Sequence, residues 1–263
     1  MSTITAQNAS LEREGAVLCS GVTCSFSSGE LVAVVGPNGA GKSSLLALLA
    51  GDVEPANGAV NLDGRSMRDF APVELARHRA VLTQTNVVAF PFSVREVVSM
   101  GRFAWKSRES AVDDTAVVNA AMEATDIAHL AQRRITTLSG GEIARVALAR
   151  VLAQDTKIIL LDEPTASLDI KHQEMVLELL RQKASNGTLV IIVVHDLEAA
   201  ASIADRLLVM VNGHIVADGS PQHVLSSALL SEVYDYPIDV ATSSLTGQLE
   251  IRPKRSASPR TSS

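Results

Sequence analysis

A chain of 263 residues with 46% hydrophobic residues can bury one large α/β core, with room for a second lobe. Its longest apolar runs, 45–50 and 189–194, fall far short of the ~18 uninterrupted residues of a membrane-spanning helix. A formal net charge of −6 argues against nucleic acid as a partner, because that ligand calls for a basic face. The first ten residues are polar and lack a basic-then-apolar leader, so a cytosolic chain is expected. Cys19 and Cys24 stand five positions apart. On an extended strand that spacing turns them to opposite faces, and two separate structural thiols are expected rather than a metal site or a disulfide.

In chain order, residues 1–30 alternate weakly and are punctuated by Gly15, Gly21 and Gly29. They read as short antiparallel strands, one of them over 21–27. The apolar run 31–35 then leads into Gly36-Pro37-Asn38-Gly39-Ala40-Gly41-Lys42-Ser43, which fits G-x-x-x-x-G-K-[ST]. The glycines let successive backbone N–H groups converge on an anion, Lys42 adds a compact cation, and the Ser43 hydroxyl suits Mg²⁺. Residues 44–50 read as a helix stopped by Gly51, with its N-terminus facing the phosphates. A turn at 55–58, a strand at 59–64, a short helix over 72–79 and a buried strand at 80–83 follow, and the last delivers Gln84.

From 87 to 155 the texture is helical, apart from Phe90-Pro91-Phe92, with apolar spacing of helical period over 94–100 and 116–130. We read this segment as a helical lobe inserted into a core made of 1–86 and 156–240. The strand pattern resumes at 157–161, then a helix over 172–184, a strand at 188–194 and a strand pair over 207–219 around Asn212-Gly213. Near-continuous β-branched runs separated by helices predict a parallel sheet covered on both faces. The serine-rich segment 241–263 is expected to be a disordered tail.

Ligands of open α/β sheets bind outside the carboxyl ends of the strands. Those ends here carry the phosphate loop, Gln84, Asp162-Glu163 and His195. Asp162 is suited to hold Mg²⁺, Glu163 to take a proton from an attacking water, and His195 to bond a γ-phosphate. A third constellation, Leu138-Ser139-Gly140-Gly141-Glu142, precedes a helical stretch. Ser139 and Glu142 also form a capping box, the structural alternative, but a cap does not require two glycines. Bare backbone at a helix N-terminus makes a second phosphate clamp. If the two clamps sit on separate lobes, two copies facing head-to-tail would share each nucleotide.

In these motifs the chain resembles the ATP-binding subunits of ABC transporters from about residue 4 to 240. The expected fold is α/β: a P-loop NTPase core with a mixed sheet, a small antiparallel β subdomain and an inserted helical subdomain. The resemblance implies ATP and Mg²⁺ as ligands. Gly36, Pro37, Asn38, Gly39, Ala40, Gly41, Lys42, Ser43 and Ser44 would hold the phosphates, and Ser43, Gln84 and Asp162 the metal. Glu163 would be the catalytic base, assisted by His195, Gln84 and Lys42. Ser139, Gly140 and Gly141, with Asp169 of the segment Ala166-Ser167-Leu168-Asp169, would reach the partner's nucleotide. The implied assembly is a homodimer docked on a dimeric permease beside Gln84, at the cytoplasmic face of the membrane. A periplasmic or lipid-anchored substrate-binding protein would complete it.

The stretch 80–84, Phe90-Pro91-Phe92-Ser93-Val94 and 148–154 is similar to bacterial haemin-importer ATPases, with siderophore and cobalamin importers as the alternative. An accessory ATPase of iron–sulfur assembly is the non-transport alternative. A single phosphate loop excludes a two-cassette translation protein, and the short insert excludes a coiled-coil repair ATPase. Leu11 stands where the family often carries an adenine-stacking aromatic, and Ile143 where a glutamine is common.

Overall fold

The computed structural model describes residues 2–84, 91–106 and 113–255. In chain order the amino-terminal part contains β1 (Thr3–Arg13), β2 (Ala16–Ser27), β3 (Leu31–Val35), α1 (Lys42–Ala50), β4 (Asn57–Leu62) and β5 (Arg65–Ser66). Then come α2 (Pro72–His78), β6 (Arg79–Leu82), α3 (Val94–Ser99), α4 (Asp114–Ala124) and α5 (Gly140–Ala153). The chain returns through β7 (Ile158–Asp162), α6 (Ile170–Ser185), β8 (Leu189–Val193), α7 (Leu197–Ile203), β9 (Arg206–Val211) and β10 (His214–Gly219). It closes with α8 (Pro221–Val224), α9 (Ser227–Val233), β11 (Ile238–Thr242) and β12 (Leu249–Pro253).

The central sheet has the order β10-β9-β3-β8-β7-β6, parallel except for the edge strand β10. Its inner strands alternate between two cores. Leu31, Ala33 and Val35 face one, Val32 and Val34 the other, and β7 and β8 divide in the same way. This explains the unbroken apolar runs, since a strand covered on both faces has no wet side. The first core lies under α3, α4, α5 and α6. The second lies between the central sheet and the antiparallel sheet β2-β1-β4-β5, with α1 enclosed between them. Leu45, Leu48 and Leu49 of α1 are all buried there, each worth ~1.5–3 kcal/mol. The expected mixed sheet, small antiparallel sheet and helical part are all present.

Two expectations are corrected. Cys19 and Cys24 both point into the second core rather than to opposite faces. The pairing Ala9↔Val22 followed by Leu11↔Cys19 puts an extra residue in β2, at Gly21 (φ 57°), and that bulge resets the alternation. Burial pushes the two thiols up, to about 11 and about 12. The second correction is the segment from Ala241. It is a hairpin, β11 against β12, with Ile238, Val240, Leu249 and Ile251 half-buried on the first core. Residues 256–263 of the predicted tail lie outside the described residues.

Candidate nucleotide-binding site

β3 ends at Val35, and the phosphate loop curls back over its carboxyl end into α1. Gly36 (φ 145°) and Gly41 (φ 98°) are required by close approach as well as by conformation. A Cβ on Gly36 would lie 2.1 Å from the Met210 carbonyl oxygen, and one on Gly41 2.3 Å from that of Leu18. The loop is thus wedged between β9 and β2, which fixes its path. Lys42 is buried, and its Nζ donates to the Gly36 and Pro37 carbonyls at 2.8 and 2.9 Å. Burial pulls its pKa down, opposed by the charges of Glu163 and Asp162.

Asp162, the last residue of β7, is buried, with the Ser43 hydroxyl beside its carboxylate. Burial raises its pKa. The Ser43 hydroxyl opposes that shift, Glu163 adds to it, and Lys42 and His195 oppose it. Its Oδ1 is buried without a hydrogen-bond partner. An orphaned carboxylate oxygen beside a serine hydroxyl fits a hard dication that takes oxygen ligands. Among the described residues no group of three or more His, Cys, Asp or Glu side chains could hold a metal. An ion at Asp162 and Ser43 would therefore share its coordination with a phosphate, as Mg²⁺ characteristically does.

The next residue, Glu163, has a left-handed backbone (φ 51°) and anchors its N–H on the Val193 carbonyl at 3.1 Å. Its carboxylate Oε1 lies 2.7 Å from Nε2 of His195. Glu163 is mostly buried and His195 half exposed. The structure thus joins two residues that sequence reading placed on one rim without predicting their contact.

Gln84 is exposed at the end of the β6 segment and lines a cleft of about 380 Å³ together with Asp162, Glu163, Pro164, Gly140 and Ile143. Residues 36–43 do not line this cleft. Ile143 is half-buried against the first core, so its apolar side chain forms part of the cleft wall.

Ser139 caps α5 with the expected capping box: its Oγ accepts from Glu142 N–H at 3.3 Å, and its own N–H donates to Glu142 Oε2 at 2.7 Å. Gly141 has an internal reason to be glycine, since a Cβ there would sit 3.1 Å from the Ser167 carbonyl. Gly140 has none, with nothing within 4 Å. Asp169 caps α6 by accepting from His172 N–H at 2.9 Å, and it also pairs with the His172 ring. Leu11 is half-buried and packs on the second core, a packing role rather than an open stacking position. Phe92 is partly exposed and Phe90 lies outside the described residues. Sequence reading missed Tyr234, half-buried on the first core, whose phenol pKa burial raises and the Gly36 backbone opposes. No local pattern marks a tyrosine so far along the chain as a neighbour of the loop.

The ABC transporter family profile matches residues 19–166. The hemin import ATP-binding protein HmuV of Nocardia farcinica is 53% identical, over 89% of this chain and 81% of that protein. HmuV of Streptomyces coelicolor is 50% identical, over 92% of this chain and 86% of that protein. An inward-facing metal-chelate type ABC transporter superposes with a TM-score of 0.80 at 26% identity, covering 97% of this chain and 98% of that one. A dimeric post-hydrolysis ATP-binding cassette, MJ0796 bound to ADP and Pi, superposes with a TM-score of 0.74 at 25% identity, covering 83% of this chain and 98% of that one.

Proposed function

The chain belongs to the ABC transporter family, and from that premise we propose that it is the ATP-hydrolysing subunit of an importer that moves hemin through a separate membrane permease. The observation that carries the hydrolytic reading is the Glu163–His195 contact at 2.7 Å, one residue beyond the buried Asp162. Hemin as cargo is supported by the names of relatives that match this chain along most of its length.

In this reading the backbone N–H groups that follow Pro37, as far as Ser44, and the Lys42 ammonium hold the ATP phosphates. Ser43, Gln84 and Asp162 would hold Mg²⁺, which when bound neutralises charge on the β- and γ-oxygens. Glu163 takes the proton of the attacking water. Its Oε1 is engaged by His195, which leaves Oε2 for that proton. His195 orients the carboxylate and can shift its bond to the γ-phosphate.

A second copy supplies the other side of the nucleotide through Ser139, Gly140, Gly141 and Asp169. The open space around Gly140 supports a ligand from outside the chain. The homodimer docks on its permease near Gln84 and Phe92, with a substrate-binding protein on the far side. Among the described residues no helix is long and apolar enough to cross a membrane, which suits a peripheral subunit at the cytoplasmic face.

The test is purification of the native complex with its permease into vesicles. ATP turnover stimulated by hemin with its binding protein is expected. Stimulation by a siderophore or cobalamin alone would overturn the cargo, and recovery without any polytopic permease would overturn the transport role.

A further inference from the structure

Gly36 and His195 lie just beyond the carboxyl ends of adjacent strands, β3 and β8, whose register pairs Val34 with Val193. α7 begins two residues after His195. It is seven residues long: Ala200 is buried, and Leu197, Ala199, Ala201 and Ile203 pack partly buried on the first core. The carboxyl-terminal hairpin adds a second hold. β12 runs beside α7, and the Ile251 N–H donates to Glu198 Oε1, in the first turn of α7, at 2.7 Å.

The hairpin is fastened in turn to α9. Val240 N–H donates to Ser227 Oγ at 2.8 Å and Ile238 N–H to Ser231 Oγ at 2.9 Å. α9 is rooted in the first core by the buried Leu230 and the half-buried Tyr234. One continuous unit therefore runs from the first core to the helix that follows His195.

We propose that residues 226–253 are a positioning clasp for the hydrolytic rim, fixing α7 and hence His195 through Glu198. The proposal rests on the hydrolytic reading above and adds positioning residues to it. The physical reason is leverage. His195 sits in the short link between β8 and α7, so its reach to Glu163 depends on the placement of α7 as well as on β8. A misplacement of about 1 Å can cost ~10²-fold in rate.

The test is a double-mutant cycle on the full chain, with ATPase kinetics and melting temperature measured together. Glu198→Ala is expected to lower kcat about fivefold or more while KM for ATP stays within about twofold. Glu198→Gln keeps an acceptor oxygen and is expected to recover most of the rate.

In a His195→Ala background, Glu198→Ala is expected to do nothing more, because its effect passes through that ring. Multiplying losses, or a Gln variant as slow as the Ala variant, would overturn the clasp. So would Glu198→Ala at the wild-type rate while His195→Ala is slow. His195→Ala at the wild-type rate would instead overturn the hydrolytic assignment itself.

Discussion

His195 Nε2 and Glu163 Oε1 lie 2.7 Å apart, bridging the carboxyl ends of β8 and β7. The contact needs the left-handed backbone of Glu163, which for a non-glycine residue costs ~1–3 kcal/mol and persists only where the surroundings impose it. Here the Glu163 N–H on the Val193 carbonyl imposes it, turning the carboxylate toward the neighbouring strand instead of along its own.

Glu163→Gln keeps the shape and can still bond His195, but it removes the basicity. Turnover is expected to fall ~10²-fold or more, within the range of general-base effects. ATP binding should survive and an ATP-bound dimer should persist longer. Steady-state ATPase and size-exclusion chromatography with ATP measure both; a variant at the wild-type rate would remove Glu163 as the base.

The glycines of the two phosphate clamps should respond differently to alanine. At Gly41 a Cβ would overlap the Leu18 carbonyl on a positive-φ backbone, so Gly41→Ala should lower the melting temperature and abolish ATP binding. At Gly140 the space is open. Gly140→Ala should leave the melting temperature of the isolated chain nearly unchanged while slowing hydrolysis that depends on a second copy. Calorimetry and the protein-concentration dependence of turnover separate the two.

Asp162 gives a pH prediction. Burial holds its folded pKa above the ordinary value of 3.8, so the folded chain binds its proton more tightly than the unfolded chain does. Its contribution to stability is therefore favourable at low pH and is lost as pH rises from that ordinary value through the raised one. Asp162→Asn should raise the melting temperature at pH 7, with the gain vanishing near pH 4. The same variant should lose the added stability that Mg²⁺ with ATP gives the wild type. A neutral-pH melting temperature below wild type would show that Lys42 depends on the Asp162 charge more than burial penalises it.

Leu11 packs inward on the second core. Leu11→Tyr adds volume there and is expected to cost about 1 kcal/mol or more through overpacking, with ATP affinity unchanged. Tighter ATP binding at an unchanged melting temperature in a competition titration would place Leu11 against the base instead.

The chemistry-bearing segments were legible in the sequence because each is built within a few residues. The phosphate loop needs its glycines and Lys42 in order, the α5 cap needs Ser139 three residues before Glu142, and buried strands announce themselves by unbroken apolar runs. The alternation of β2 was misread because a bulge at Gly21 changes which face follows, and its cause lies in the pairing with β1. The carboxyl-terminal hairpin was misread because the basic, serine-rich stretch after it colours the composition of 241–263, while Ile238, Val240, Leu249 and Ile251 find a hydrophobic face only after α7 and α9 are in place.

The contacts that aim the site were beyond sequence alone for the same reason. Glu163 meets His195 because β7 and β8 are neighbours, and Gly36 must be glycine because the Met210 carbonyl, far along the chain, passes against it. Local residue chemistry determined which groups could act. Strand order and long-range packing decided which of them meet.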